Sequence, residues 1–144
     1  MRVGKSPLAW DTVQSSSATY LSSGEPRTSG DLSNAPLYSA PIRLDHISKY
    51  SIQLSVTGAG PTGSFVLQGS NSNPADTGTG MVPGGDASAM VWTPIAGSTA
   101  TFTVADNHVW NADGVGYRWV RVVWTESGTA TGTVVGEFVG KGES

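Results

Sequence analysis

Hydrophobic and polar residues alternate over several short stretches of the chain, which is the pattern of strands with one buried face. The clearest alternation is Tyr50–Thr57, where Ile52, Leu54 and Val56 point one way and serine, glutamine and threonine point the other. After a glycine-rich turn, Ser64–Gln68 is predicted to return as its hairpin partner. The pattern indicates half-buried strands joined by tight turns.

The densest run of β-branched and aromatic residues is 117–125, and it is apolar on both faces. Such a strand lies centrally in a sheet that is covered on both sides, or it presents one face to a partner molecule. The sequence leaves open which of these applies to the face of Trp119. Residues 129–139 are predicted to pair back on this strand as a second hairpin.

The whole chain predicts seven to nine short strands and no amphipathic helix. We therefore expect an all-β protein, an antiparallel β-sandwich with jelly-roll topology. Pro41 interrupts the strand predicted at Leu37–Leu44 and marks an edge or a break. Residues 12–144 are expected to form the single domain, which begins with a weakly patterned strand at 12–21 and carries a long polar loop at 69–89.

Residues 1–11 are predicted to form an extended N-terminal arm that docks on its own domain or on a neighbour. Deleting this arm is expected to leave the domain folded and to weaken binding to a partner. Of the five tryptophans, Trp124 is predicted in the core, and Trp10 and Trp110 at the surface. The residues predicted at a protein interface are Leu8, Trp10, Tyr20, Tyr38, Trp110 and Trp119.

Composition narrows the class of protein. Only 13% of the 144 residues are charged, and 19 are glycine, whereas charged residues make up about 25% of an average chain. A net charge of −3 without a basic cluster argues against nucleic-acid binding. The absence of cysteine excludes disulfides and thiolate sites. No apolar run is long enough for a membrane span and no signal peptide is apparent, so we expect synthesis in the cytoplasm and no membrane partner.

Candidate chemistry is weak throughout the sequence. The two histidines, His46 and His108, each have an aspartate nearby, but no Gly-x-Ser-x-Gly elbow accompanies them. Residues 136–141 have the wrong spacing for a phosphate loop. We therefore predict no catalytic residue, no cofactor and no enzymatic activity.

Two loops carry oxygen donors at short spacing, but neither has the carboxylate density that calcium requires. These side chains are expected to make turn hydrogen bonds, and no metal site is predicted. The two sets are Asn71, Asn73 and Asp76, and Asp106, Asn107, Asn111 and Asp113.

Part of the sequence resembles a group of small tailed-phage virion proteins with a discoidin-like jelly roll. The resemblance rests on residues 63–71 (GSFVLQGSN), 92–95 (WTPI), 116–125 (GYRWVRVVWT) and 127–133 (SGTATGT). It extends over residues 37–142 and implies no catalytic or ligand residue. The group includes the cement, or decoration, proteins that clamp capsid subunits together.

The resemblance implies a capsid cement protein on the virion surface, with the phage major capsid protein as its partner and a homodimer or other homo-oligomer as its state. Two alternatives remain open. A carbohydrate-binding module would use a tryptophan such as Trp110 to stack on a sugar. A tail or fibre protein would have the same fold at a lower copy number per particle.

Overall fold

A computed structural model describes residues 3–12, 21–22, 25–26, 28–44, 47–71, 90–113 and 116–142. Within these ranges the chain forms strands and turns and no helix. The fourteen strands in the described residues are β1 (Val3–Pro7), β2 (Trp10–Asp11), β3 (Leu21–Ser22), β4 (Glu25–Pro26), β5 (Ser29–Asp31), β6 (Leu37–Ser39), β7 (Ile42–Arg43), β8 (Ile47–Thr57), β9 (Gly63–Ser70), β10 (Thr93–Pro94), β11 (Ala100–Phe102), β12 (Asp106–Asp113), β13 (Trp119–Glu126) and β14 (Thr133–Gly142).

Two antiparallel sheets face each other. Sheet A has the order β1-β14-β8-β12, with β5 also paired to β14. Sheet B has the order β10-β9-β13-β6-β2, with β11 paired to β9 and β7 to β13. Strands β3 and β4 form a separate short pair. The all-β antiparallel sandwich with a jelly roll, predicted from the sequence, is confirmed.

The core lies between the inner faces of the two sheets. On sheet A the alternating residues of β8 point inward, and Ile52 and Leu54 are fully buried. On sheet B the inward residues of β9 and β13 include Phe65 and Trp124, whose rings are 4.6 Å apart. The period-two pattern thus places one face of each strand in the core and leaves the other face outside.

Both predicted hairpins are wrong in their pairing, although all four strands exist. Strand β8 lies in sheet A and β9 in sheet B, and β13 lies in sheet B and β14 in sheet A. The true partners are β8 with β14 and β9 with β13. Each glycine-rich turn therefore crosses the core from one sheet to the other. Alternation alone does not distinguish a hairpin from such a crossing, because both bury the same face.

The two crossings pack against each other at one end of the sandwich. Thr131 N donates to Gly60 O at 2.9 Å, and Ser127 N donates to Thr62 O at 3.0 Å. A Cβ atom at Gly132, where φ is +128°, would lie 2.3 Å from Thr57 O. Glycine is required here because the backbones approach more closely than any side chain allows.

The N-terminal segment belongs to the sandwich. Strand β1 pairs with β14 over five residues, and β2 pairs with β6. Leu8 N, between these strands, donates to Gly136 O at 2.9 Å. The predicted division into an arm at 1–11 and a domain from residue 12 does not match these pairings, because the segment contributes a strand to each sheet.

Two further predictions concern interruptions and loops. The break at Pro41 is present, and it separates β6 from β7, which both pair with β13. Residues 13–20 of the first predicted strand and residues 72–89 of the predicted long loop lie outside the described residues.

Candidate interaction surface

The predicted interface residues fall in different environments. Leu8, Trp10 and Trp110 lie in the chain's own core, with 2%, 1% and 8% of their surface exposed. Tyr38 and Trp119 lie on sheet B, and Tyr20 lies outside the described residues. The prediction that Trp10 and Trp110 are surface aromatics is wrong, and a partner reaches neither ring while the domain is folded.

Local contacts explain why these two rings are inside. Trp10 lies on β2, the edge strand of sheet B, and packs edge-on against Phe65, with ring centroids 6.1 Å apart. Trp110 points inward from β12, and its Nε1 donates to Ser98 O at 2.8 Å. Both positions flank turns in the sequence, and this is why they suggest surface residues. The pairing partners that bury them are distant in sequence.

The outer face of sheet B is covered in part by its own chain. Arg121, 4% exposed, lies between two aromatic rings, with its guanidinium carbon 4.2 Å from the Trp92 centroid and 4.7 Å from that of Tyr38. Its Nε donates to Gln68 Oε1 at 2.8 Å. Cation–π contacts and a charge-assisted hydrogen bond thus fix the segment around Trp92 over this face.

Trp119 lies beside this stack and is fully buried. It packs with Met90 and Trp92, and the Arg43 guanidinium lies 5.8 Å from its ring centroid. The question that the sequence left open is answered for this face: residues of the same chain cover Trp119. Nothing in the sequence indicates this contact, because the pairing of β10 with β9 is what brings residues 90–92 close to β13.

The outer face of sheet A is different, and we call it the A face. It consists of the outward side chains of β14, β8 and β12, which lie in three cross-strand rows. The rows are Val139–Ser51–Asn111, Glu137–Gln53–Val109 and Val135–Ser55–Asn107. The A face is therefore a polar surface of hydroxyls and amides, with two exposed valines, Val109 and Val135.

Two open depressions lie on the A face. One of about 430 Å³ is lined by Ser51, Asn111 and Val139 together with Lys49 and Lys141, which stand opposite each other in register. Lys49 stands between Lys141 of β14 and Asp113 of β12 in the cross-strand register, so this end of the face carries charged residues of both signs.

The second depression, of about 320 Å³, is lined by residues that include Gln53, Ser55 and Glu137. Its carboxylate gives the middle of the face a negative charge. The A face thus carries a few charged residues on a largely uncharged polar surface, which favours recognition of another polar surface.

Two titratable groups near this sheet have shifted pKa values. Hydrogen bonds from the hydroxyl and the backbone N–H of Ser33 lower the pKa of Asp31. Burial, and to a lesser extent the nearby Tyr117, raises the pKa of Tyr50. Both shifts have structural causes: a turn at the end of β5 and a ring stacked on Phe138 in the core.

The candidate chemical groups of the sequence make local contacts. His108 packs edge-on against Trp110, with ring centroids 4.7 Å apart, and Asp106 Oδ1 accepts from Asn107 N at 2.8 Å. Asn71 Oδ1 accepts from Arg118 N at 2.8 Å. Across the part of the chain that the structure describes, no cluster of three His, Asp or Glu residues is placed to hold a metal, and no helix is long and apolar enough to span a membrane. His46, Asn73 and Asp76 lie outside those ranges.

Similarity to known proteins is found among solved structures and not among family models or curated sequences. No protein-family model matches the chain, and no curated protein sequence matches it. Similar solved structures include the SPBc2 prophage-derived protein YomS, at 12% identity and a TM-score of 0.48, over 97% of this chain and 95% of that one. The chitosan-binding module 1 from a chitosanase/glucanase of Paenibacillus sp. IK-5 is 18% identical, with a TM-score of 0.46 over 93% of each chain. Tobacco streak virus coat protein is 10% identical, with a TM-score of 0.38 over 96% of this chain and 85% of that one.

Proposed function

We propose that the chain is a structural protein of a tailed-phage virion, a cement protein that lies on the capsid surface and bridges major capsid subunits. The observation that carries the proposal is the A face. Its three rows of side chains are polar and continuous across β14, β8 and β12. An extended polar surface of this kind fits another protein surface, whereas small-molecule sites are concave and mostly apolar.

The construction of the domain supports a load-bearing role. Central strands of each sheet come from distant parts of the sequence: β8 pairs with β14, and β9 pairs with β13. Strand β1 also pairs with β14, so backbone hydrogen bonds join the first and last described strands within sheet A.

In the carbohydrate-binding alternative, the Trp110 ring was expected to stack on a sugar, but this ring is not accessible. The Trp110 ring is buried and its Nε1 is already bonded to Ser98 O. The described side chains of the A face include no aromatic ring on which a sugar can stack. The structure therefore favours a protein partner for this face.

The proposal is tested by adding the purified chain to shells of the phage or prophage that encodes it. We expect saturable binding at hundreds of copies per particle, measured by co-sedimentation and cryo-microscopy. Gln53→Arg changes the centre of the A face and should weaken binding at least about tenfold, which corresponds to 1.4 kcal/mol. Thr101→Arg, an exposed change on β11 in sheet B, is the matched control and should bind normally.

Three outcomes would contradict the cement role. One is a copy number of a dozen or fewer, which indicates a tail or fibre position. Another is binding to a glycan array without binding to shells. The third is equal loss of binding in both variants, which indicates that the A face is not the contact surface.

A further inference from the structure

Strand β12 has a free edge in sheet A. This strand pairs with β8 along one side, from Asp106 to Asp113, and no strand lies on its other side within the described part of the chain. The backbone N–H of Asn107 donates to Asp106 Oδ1 at 2.8 Å, an exposed bond that pairing with another strand would replace. Because bonding alternates along an antiparallel ladder, residues 107, 109 and 111 direct their backbone groups towards the free side.

The other described edges of both sheets are protected in the ways that proteins commonly use. Strands β2 and β10 have two residues each, and β11 has three. Strand β10 also contains Pro94, and β1 contains Lys5 and Pro7. Short strands, lysine and proline all discourage pairing with another chain. Strand β12 has eight residues and none of these features, so it is the edge in the described structure that is open to strand addition.

We propose that β12 pairs with β12 of a second copy, antiparallel and about a two-fold axis, so that two A sheets form one continuous sheet. The inference adds an interface to the proposed function but does not depend on it. The axis must stand perpendicular to the sheet, because only then do outward side chains meet outward side chains. The residue on the axis then stands opposite itself.

The length of the paired segment selects the residue on the axis, because centring on Val109 pairs residues 106–112, whereas centring on Asn111 pairs only residues 109–113. With Val109 at the centre, Asn107 stands opposite Asn111 of the second copy and His108 stands opposite its Trp110. Asp106 meets Ala112, so no like charges oppose each other. Val109 is 47% exposed in the single chain, and this register buries it against its own copy.

The interface is tested on the free full-length chain by sedimentation velocity up to about 100 µM, where a micromolar dimer is fully formed. We expect a dimer for the wild type. Val109→Lys places two lysines together on the axis and should raise the dissociation constant at least about tenfold. Val135→Lys is the matched control, because Val135 is 44% exposed on the same face but lies on β14, inside the sheet. It should dimerise like the wild type.

A pair of charge variants tests the register. A chain with Asn107→Lys and Asn111→Lys, and a chain with Asn107→Asp and Asn111→Asp, should each be monomeric because like charges face each other. Mixed together, they should form a heterodimer. A monomeric wild type, a dimer that Val109→Lys leaves intact, or a mixture that stays monomeric would each overturn the inference. Shell binding by a monomeric wild type would leave the proposed function standing.

Discussion

Two glycines show at the scale of single residues how the crossings between the sheets are fixed. Gly58 and Gly132 both have positive φ, and a Cβ at Gly58 would lie 2.5 Å from the Gly132 Cα. Backbone hydrogen bonds hold the crossings at this separation. A side chain at either position must therefore move one crossing away from the other and disturb both sheets.

Gly132→Ala is predicted to lower the free energy of unfolding by about 3 kcal/mol, through backbone strain and a clash with Thr57 O. The matched control is Gly128→Ala in the same crossing. Gly128 also has positive φ, +72°, but no atom lies within 4 Å of an added Cβ. Gly128→Ala should lower the free energy of unfolding by only about 1 kcal/mol, because it introduces backbone strain and no clash. Urea unfolding of the three proteins measures the difference, and equal losses would mean that the close approach contributes nothing.

Alternation predicts which residues of a strand face inward, because that pattern is local. Ile52, Leu54 and Val56 are buried as the sequence predicts. The tryptophans were not all predictable, because an isolated ring beside a turn carries no periodic signal. Trp10 is buried through a pairing with residues 38–39, and Trp119 through a contact with residues 90–92. The residues next to each tryptophan in the sequence do not indicate these contacts.

At the scale of elements, the N-terminal segment contributes to both sheets and to the core. Trp10→Ala removes a ring that is 1% exposed and packed on Phe65, and should cost about 3–5 kcal/mol. Val104→Ala, at a position 64% exposed, is the control and should change stability by less than about 0.5 kcal/mol. Urea unfolding of both variants measures these changes.

Deleting residues 1–11 should abolish the cooperative thermal transition. A truncated chain that unfolds like the full-length protein would restore the view of this segment as a separable arm.

The sequence predicts where several strands lie, but it does not predict which strands pair with each other. Residues 50–57, 64–68 and 119–125 are strands in both the prediction and the structure. Their partners depend on whether a glycine-rich turn doubles back or crosses the core, and the two cases have the same local composition. The A face could not be predicted for the same reason: its rows join residues such as Ser55, Asn107 and Val135, which only the correct pairing brings together.

At the scale of the whole molecule, the proposed function and the β12 interface combine into a bivalent clamp. A dimer carries two A faces in one continuous sheet, and a capsid lattice repeats the surface that each face contacts. Once one face is bound, the second binds at a high effective concentration, so apparent affinity rises by about 10²-fold or more. Each copy can then bind weakly and the dimer can still hold neighbouring subunits together.

The bivalent clamp is tested with the lysine and aspartate charge variants at Asn107 and Asn111. Each variant alone should bind shells weakly, because it is monomeric and offers one face. An equimolar mixture at the same total concentration should bind about 10²-fold more tightly. The mixture contains the same substitutions as its separate components, so altered surface charge does not explain a gain. Affinity of the mixture equal to the average of its components would show that each copy binds the shell independently, and that dimerisation has another role.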